Sequence, residues 1–249
     1  MSLRDRPGRG SRVRRGGCDG TLLGVTDMLA ATEPSTWNLA EWGTIAASYF
    51  LGAIPFGLLL TRALRGVDLR EMGSGNIGAT NAMRALGRWW GYVAFLLDFA
   101  KGWVPVYLLA SLATPQFEDP LVIQVACGTA AVLGHCFPVY LGFKGGKGVS
   151  TAAGAIMAID PFVLLAGSLV WIVTLQLSHF VGLASILMGV AFPFAAWWRH
   201  SSEPVFVGGT GLLTLLILVR HRSNIANMLA GTEPRSGSRR AGRESDSHG

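Results

Sequence analysis

GHCFPVYLGFKGGKGVST, residues Gly134 to Thr151, joins two apolar runs through a short polar turn. Its centre, Lys144-Gly145-Gly146-Lys147-Gly148, places two cations among three glycines. Without side chains, Gly145, Gly146 and Gly148 let the backbone turn tightly and come close to a ligand. Successive N–H groups in such a turn form a concavity for an anion. The helix expected from Val149 aims its N-terminal dipole at the same point, and Lys147 adds a full charge. The stretch reads as a phosphate cradle at the surface of a membrane protein.

Outward from it, the chain is a series of apolar runs near the roughly 20 residues that cross a bilayer. Upstream lie Trp42 to Thr61, containing Pro55, then Trp89 to Ala113, interrupted by Asp98 and Lys101, then Leu121 to Leu141. Downstream lie Val149 to Leu177, broken at Asp160-Pro161, then Phe180 to Trp198 and Pro204 to Val219. The expectation is an all-α polytopic membrane protein of about seven transmembrane helices. Six or seven depends on the short piece between Asn76 and Gly87. The composition agrees: 50% hydrophobic and only 14% charged, with a mean hydropathy of +0.41, against roughly a quarter charged in soluble domains. Residues 1–38 form an Arg/Gly-rich segment expected to be disordered, 39–233 the membrane domain, and 234–249 a disordered Ser/Gly/Arg tail.

A net charge of +6 and a pI near 9.7 do not indicate a nucleic-acid groove, because the cations sit in short loops and at both ends. No nucleic acid is expected as a partner. The loops holding Arg62 to Arg88, Lys144 to Lys147, and Arg220 onward are basic, whereas the loop at Glu118-Asp119 is acidic. By the positive-inside rule the three basic loops are cytoplasmic. That orientation puts the N-terminus outside, against Arg4, Arg6, Arg9, Arg12, Arg14 and Arg15, and so favours a true start near Met28. Cys18, Cys127 and Cys136 have no zinc-like spacing and read as small apolar residues. No metal or other cofactor is implied.

Gly73-Ser74-Gly75-Asn76-Ile77-Gly78 is a literal G-x-G-x-x-G. It lacks the preceding strand and following acid of a dinucleotide fold, so a Rossmann site is excluded. A Gly-rich loop remains, carrying Ser74, Asn76, Thr80 and Asn81 ahead of Arg84; its simplest use would be a cap and turn. The GGKG loop is no Walker motif either, and ATP hydrolysis has no support. After the last span, His221, Arg222 and Asn224 share one turn, with His221 able to act as base, donor or orienter. Glu233 is expected to pair with one of these cations, structurally. Asp98 and Lys101, at i and i+3 inside a span, are expected to be a buried structural pair. His135, His179, His200 and His221 all lack an Asp five residues on, so the H-x-x-x-x-D arrangement of other glycerolipid acyltransferases is missing.

Together, GSGNIGATNAMRALG (Gly73 to Gly87), GHCFPVYLGFKGGKGVST and HRSNIANMLAGTE (His221 to Glu233) resemble the three signature motifs of the acyl-phosphate:glycerol-3-phosphate acyltransferases, the PlsY family. LLDFAKG, Leu96 to Gly102, is also similar to that family. The resemblance spans about Trp42 to Glu233. It implies a bacterial inner-membrane enzyme of phospholipid biosynthesis with its site on the cytoplasmic side. Such an enzyme moves a fatty acyl group from acyl phosphate to the 1-hydroxyl of glycerol 3-phosphate. It also implies catalytic roles for Ser74, Arg84, Lys147, His221 and Asn224. Substrate- and phosphate-binding roles fall to Asn76, Thr80, Asn81, Gly145, Gly146, Gly148 and Ser185. The chain departs from the pattern at Gly182, where many members carry Ser, and at Ala226-Asn227, where a basic residue is common.

The residues suit that chemistry. An acyl phosphate is a mixed anhydride with a good leaving group, so the site need only hold two phosphates and align a hydroxyl with a carbonyl. Arg84 and Lys147 can each neutralise a phosphate, with membrane lipid around the acyl chain. The hydroxyl proton is left to His221 or to a substrate phosphate, with an acylated Ser74 as a third route. The competing class is a transporter for a phosphorylated small molecule, which lacks support because the two halves show no internal repeat.

Overall fold

The computed structural model describes residues 38–113 and 120–236. The expectations for the N-terminal segment, the start near Met28, the Glu118-Asp119 loop and most of the C-terminal tail lie outside the described residues. Within them every regular element is helical.

Helix α1 (Leu39–Ala53) starts at Asn38, whose side chain accepts the Ala40 and Glu41 amides while Glu41 returns a bond to the Asn38 amide. This reciprocal capping satisfies donors that a helix start otherwise leaves open. Pro55 interrupts the ladder, and α2 (Phe56–Arg65) continues to Gly66. A polar loop follows, and then α3 (Ala79–Leu86), which is too short to span a bilayer. Next come α4 (Arg88–Val104), continued through a π-helical turn at Pro105–Leu109 into α5 (Ala110–Ala113), and α6 (Pro120–Cys136). The apolar run after the glycine loop is two helices, α7 (Val149–Ile159) and α8 (Pro161–Ser178). The Asp160 carboxylate caps α8 by accepting the Phe162 amide at 2.7 Å. The bundle closes with α9 (Val181–Arg199), α10 (Pro204–Arg220) and the short α11 (Arg222–Leu229).

Among the described residues, five stretches are long and apolar enough to cross a membrane, or six if α10 and α11, bent by 54°, count as one. The piece between Asn76 and Gly87, on which a seventh span depended, is the eight-residue α3, and α7, with 11 residues, reaches roughly half of a ~30 Å hydrocarbon core. Residues of α8 such as Leu165, Leu169 and Leu177 are exposed, as a lipid-facing helix requires.

Helix α6 is the most buried of the spans, packing against α1, α7 and α10. Small residues permit the closest crossings. A Cβ on Gly102 of α4 would overlap the Thr151 carbonyl of α7, and one on Gly154 of α7 would overlap the Phe99 carbonyl of α4. Gly52 and Gly134 do the same where α1 crosses α6. Inside this packing Asp98 and Lys101 pair at 2.8 Å, both almost wholly buried. Lys101 also donates to the Ile54 carbonyl at 2.7 Å, beside the break made by Pro55. The buried structural pair anticipated from the sequence is present.

Gly154→Leu is expected to lower the thermal midpoint of the detergent-solubilised protein, at an overpacking cost of about 1–3 kcal/mol. Gly208→Leu, where a Cβ meets nothing, is expected to leave it unchanged. Fluorescence-detected melting compares the two.

Candidate active site

The first polar loop is built around Asn81, which is 1% exposed. Its Nδ2 donates to the carbonyls of Leu69, Met72 and Asn76 at 3.0, 2.9 and 2.9 Å, and its Oδ1 accepts the Ser74 amide at 3.1 Å. Asn76 in turn accepts the Gly78 amide at 2.9 Å. Both asparagines, expected to bind substrate, therefore spend these polar atoms on shaping the loop. Ser74 on the loop, and Thr80 and Arg84 on the α3 that follows it, remain exposed. Arg84 lies beside Gly73.

The second loop is fixed from two sides. The Gly146 amide donates to the His135 carbonyl at 3.0 Å. Arg220, the last residue of α10, donates through Nε to the Gly146 carbonyl at 2.9 Å and through its terminal nitrogen to the Gly145 carbonyl at 2.6 Å. Its guanidinium also lies over the Phe137 ring, 5.2 Å from the centroid. Gly148 adopts φ +80° immediately before α7, a conformation that side-chain-bearing residues rarely take. Gly145, Gly146 and Gly148 thus stand together at the N-terminus of α7.

Lys147, between them, crosses to the third loop. Its ammonium donates to Asn224 Oδ1, and Asn224 Nδ2 donates to Glu233 Oε1 at 2.6 Å. Burial pushes the Lys147 pKa down; Glu233 opposes this, and the charges of Arg84 and Arg220 add to it. A half-buried cation on which two arginine charges also act is a place where an anion is welcome. His221 is 2% exposed, and its Nδ1 lies 2.8 Å from the Ile217 carbonyl. A carbonyl only accepts, so Nδ1 carries the hydrogen, and Nε2 of the neutral ring is left as an acceptor. Lys147 and Arg220 are near enough for their charges to act on this ring.

One end of the bundle therefore gathers Arg84, Lys147, Arg220, His221, Asn224 and Glu233. Ser185 is placed differently: it is buried on α9, and its hydroxyl accepts from Trp171 Nε1 of α8 at 3.4 Å. One turn earlier, Gly182 touches Asn224, and a Cβ there would come to 2.9 Å from Nδ2. Sequence reasoning assigned Glu233 to a cation, whereas its hydrogen bond runs to Asn224, with Lys147 one step beyond. It overlooked Arg220 and His135. Adjacency to the HRSN turn was the available signal for Arg220; nothing short of packing identifies His135.

A multi-pass helical membrane protein with a cationic, glycine-lined site at one end defines the class. The family model for glycerol-3-phosphate acyltransferase matches residues 42–231. A glycerol-3-phosphate acyltransferase of Geobacter sulfurreducens is 44% identical over 191 residues, 76% of this chain and 94% of the relative. That of Thermosynechococcus vestitus is 42% identical over 196 residues, 76% and 92% respectively. Crystal structures of PlsY, an integral membrane glycerol 3-phosphate acyltransferase, superpose on the chain. Its glycerol 3-phosphate form gives a TM-score of 0.73 at 38% identity, covering 79% of this chain and 96% of that one. Its lysophosphatidic acid form gives 0.70 at 37%, covering 78% and 94%. The chain belongs to the glycerol-3-phosphate acyltransferase family and is an acyltransferase.

The Lys147–Asn224–Glu233 chain carries a direct test. Asn224→Asp sets a second carboxylate against Glu233 and is expected to lower turnover at least about 10-fold. Adding Glu233→Gln restores a donor facing that carboxylate with the same net charge, and is expected to recover part of the loss. Steady-state rates of the single and double variants decide it.

Proposed function

We propose that the protein transfers a fatty acyl group from acyl phosphate to the 1-hydroxyl of glycerol 3-phosphate, releasing lysophosphatidic acid and phosphate. The supporting observation is that Lys147 sits in a glycine loop whose carbonyls Arg220 holds and binds Asn224 of the third loop, with the charge of Arg84 also acting on it. Two substrates that each bear a phosphate need two separate positive centres, and Lys147 with Arg84 supplies them. Lys147 with the Gly145, Gly146 and Gly148 backbone is the glycerol 3-phosphate side. Arg84 and Ser74, on the exposed first loop, are the acyl phosphate side, with Thr80 beside them.

In this reading the 1-hydroxyl oxygen bonds to the acyl carbonyl carbon, and the bond from that carbon to the phosphate oxygen breaks. The hydroxyl proton passes to Nε2 of His221 or to a phosphate oxygen. Phosphate departs as a stable anion held by the arginine. Among the described residues neither a histidine nor a carboxylate hydrogen-bonds Ser74, so a donor role suits it better than that of an acylated nucleophile. Asn224 holds Lys147 in place, and positioning with charge stabilisation supplies the rate. The basic loops support a cytoplasmic position for this end of the bundle, and in this reading the membrane is a bacterial inner membrane where the product would enter phospholipid synthesis.

Detergent-purified protein is expected to release phosphate from palmitoyl phosphate only when glycerol 3-phosphate is added, with lysophosphatidic acid formed in equal amount. Arg84→Ala and Lys147→Ala are expected to lose about 100-fold or more in kcat/KM without loss of fold. Release independent of glycerol 3-phosphate, or full activity without Lys147, would sink the proposal.

A further inference from the structure

Beneath the glycine loop lies a buried polar cluster that none of the steps above uses. Asp98 and Lys101 on α4, His135 on α6 and Thr151 on α7 are each 3% exposed or less. The Thr151 hydroxyl donates to the Asp98 carbonyl at 2.9 Å and lies 3.2 Å from His135 Nδ1. Its one hydrogen being spent on that carbonyl, the hydroxyl accepts from the ring, and Nδ1 is the protonated nitrogen. The Asp98 carboxylate, 3.8 Å from Nδ1, lies on the same side. The imidazole is therefore fixed in tautomer and orientation, with Nε2 facing the opposite way.

What Nε2 faces is the loop. A Cβ on Gly146 would overlap Nε2, and one on Gly145 would overlap the His135 carbonyl, which also accepts the Gly146 amide at 3.0 Å. The underside of the Gly145–Lys147 backbone thus rests on this ring, while Arg220 holds the two carbonyls from the side. Two independent supports for a three-residue turn exceed what a loop closure needs. They suit a turn whose backbone must keep one shape around an anion.

We propose that His135 is a positioning residue for the glycine loop. The Asp98–Lys101 pair and Thr151 hold its ring, so the buried cluster sets the affinity for glycerol 3-phosphate without touching it. Outer supports of a binding group commonly change affinity by about 10- to 100-fold. The inference rests on the loop being the glycerol 3-phosphate side of the site.

The test measures KM for each substrate separately. His135→Asn keeps a group at the Nδ1 position but removes the prop, and is expected to raise KM for glycerol 3-phosphate about 10-fold. KM for acyl phosphate is expected to stay within about twofold, since the first loop rests on Asn81 instead. His135→Gln, whose amide reaches the Nε2 position, is expected to recover most of the affinity. Should the histidine variants not fold, Thr151→Val removes the hydroxyl at constant shape and is expected to give the same split, with Thr151→Ser close to wild type. Unchanged KM values, or both rising together with a lowered melting temperature, would show that the cluster only fills the bundle and would overturn the inference. Lys147→Ala, measured alongside, separates the two levels. If it too leaves KM for glycerol 3-phosphate unchanged, the assignment of the loop falls. If it raises that KM while the His135 and Thr151 variants do not, only the positioning role falls.

Discussion

In a bilayer, lipid tails are as apolar as leucine, so helices associate through close contact and internal polar bonds rather than by escaping water. The crossing of α4 and α7 meets that constraint with Gly102 and Gly154, each set against the other helix's backbone. Their approach brings Thr151 within reach of the Asp98 carbonyl and closes the bundle over the Asp98–Lys101 pair. With either glycine enlarged, the helices would separate and the buried charges would lose the packing that tolerates them. The rest of the site inherits its coordinates from this crossing, because the glycine loop runs from the end of α6, beside His135, to the first turn of α7, which holds Thr151.

Three loops from distant parts of the sequence then converge by different means. The first is shaped from within by Asn81, the second is supported by His135 and Arg220, and the third is tied to the second through Asn224. Lys147 bridges the second and third by a side-chain bond. In the proposed mechanism this division assigns the exposed Arg84 and Ser74 to one substrate and a half-buried lysine to the other. At the far end of the bundle, Asp160 takes hydrogen bonds from Arg199 and His200, both at 2.6 Å, and so fastens the start of α8 to the end of α9.

The sequence by itself determined the membrane class, the approximate spans and the three loops, because apolar run length and glycine-cation spacing are local properties that survive without coordinates, and the family through the resemblance of those loops to its motifs. Asp98 and Lys101 were legible as a pair for the same reason, since i and i+3 share a helix face. The tertiary structure alone decided that Asn76 and Asn81 build the first loop, that Ser185 meets Trp171, and that α7 is a short helix separate from α8. It alone decided, too, that Arg220 and His135 support the glycine turn. The contacts behind them join residues 5 to 75 positions apart in the chain that meet only in space. A side chain with several possible hydrogen-bond partners does not disclose which it takes until packing has removed the others.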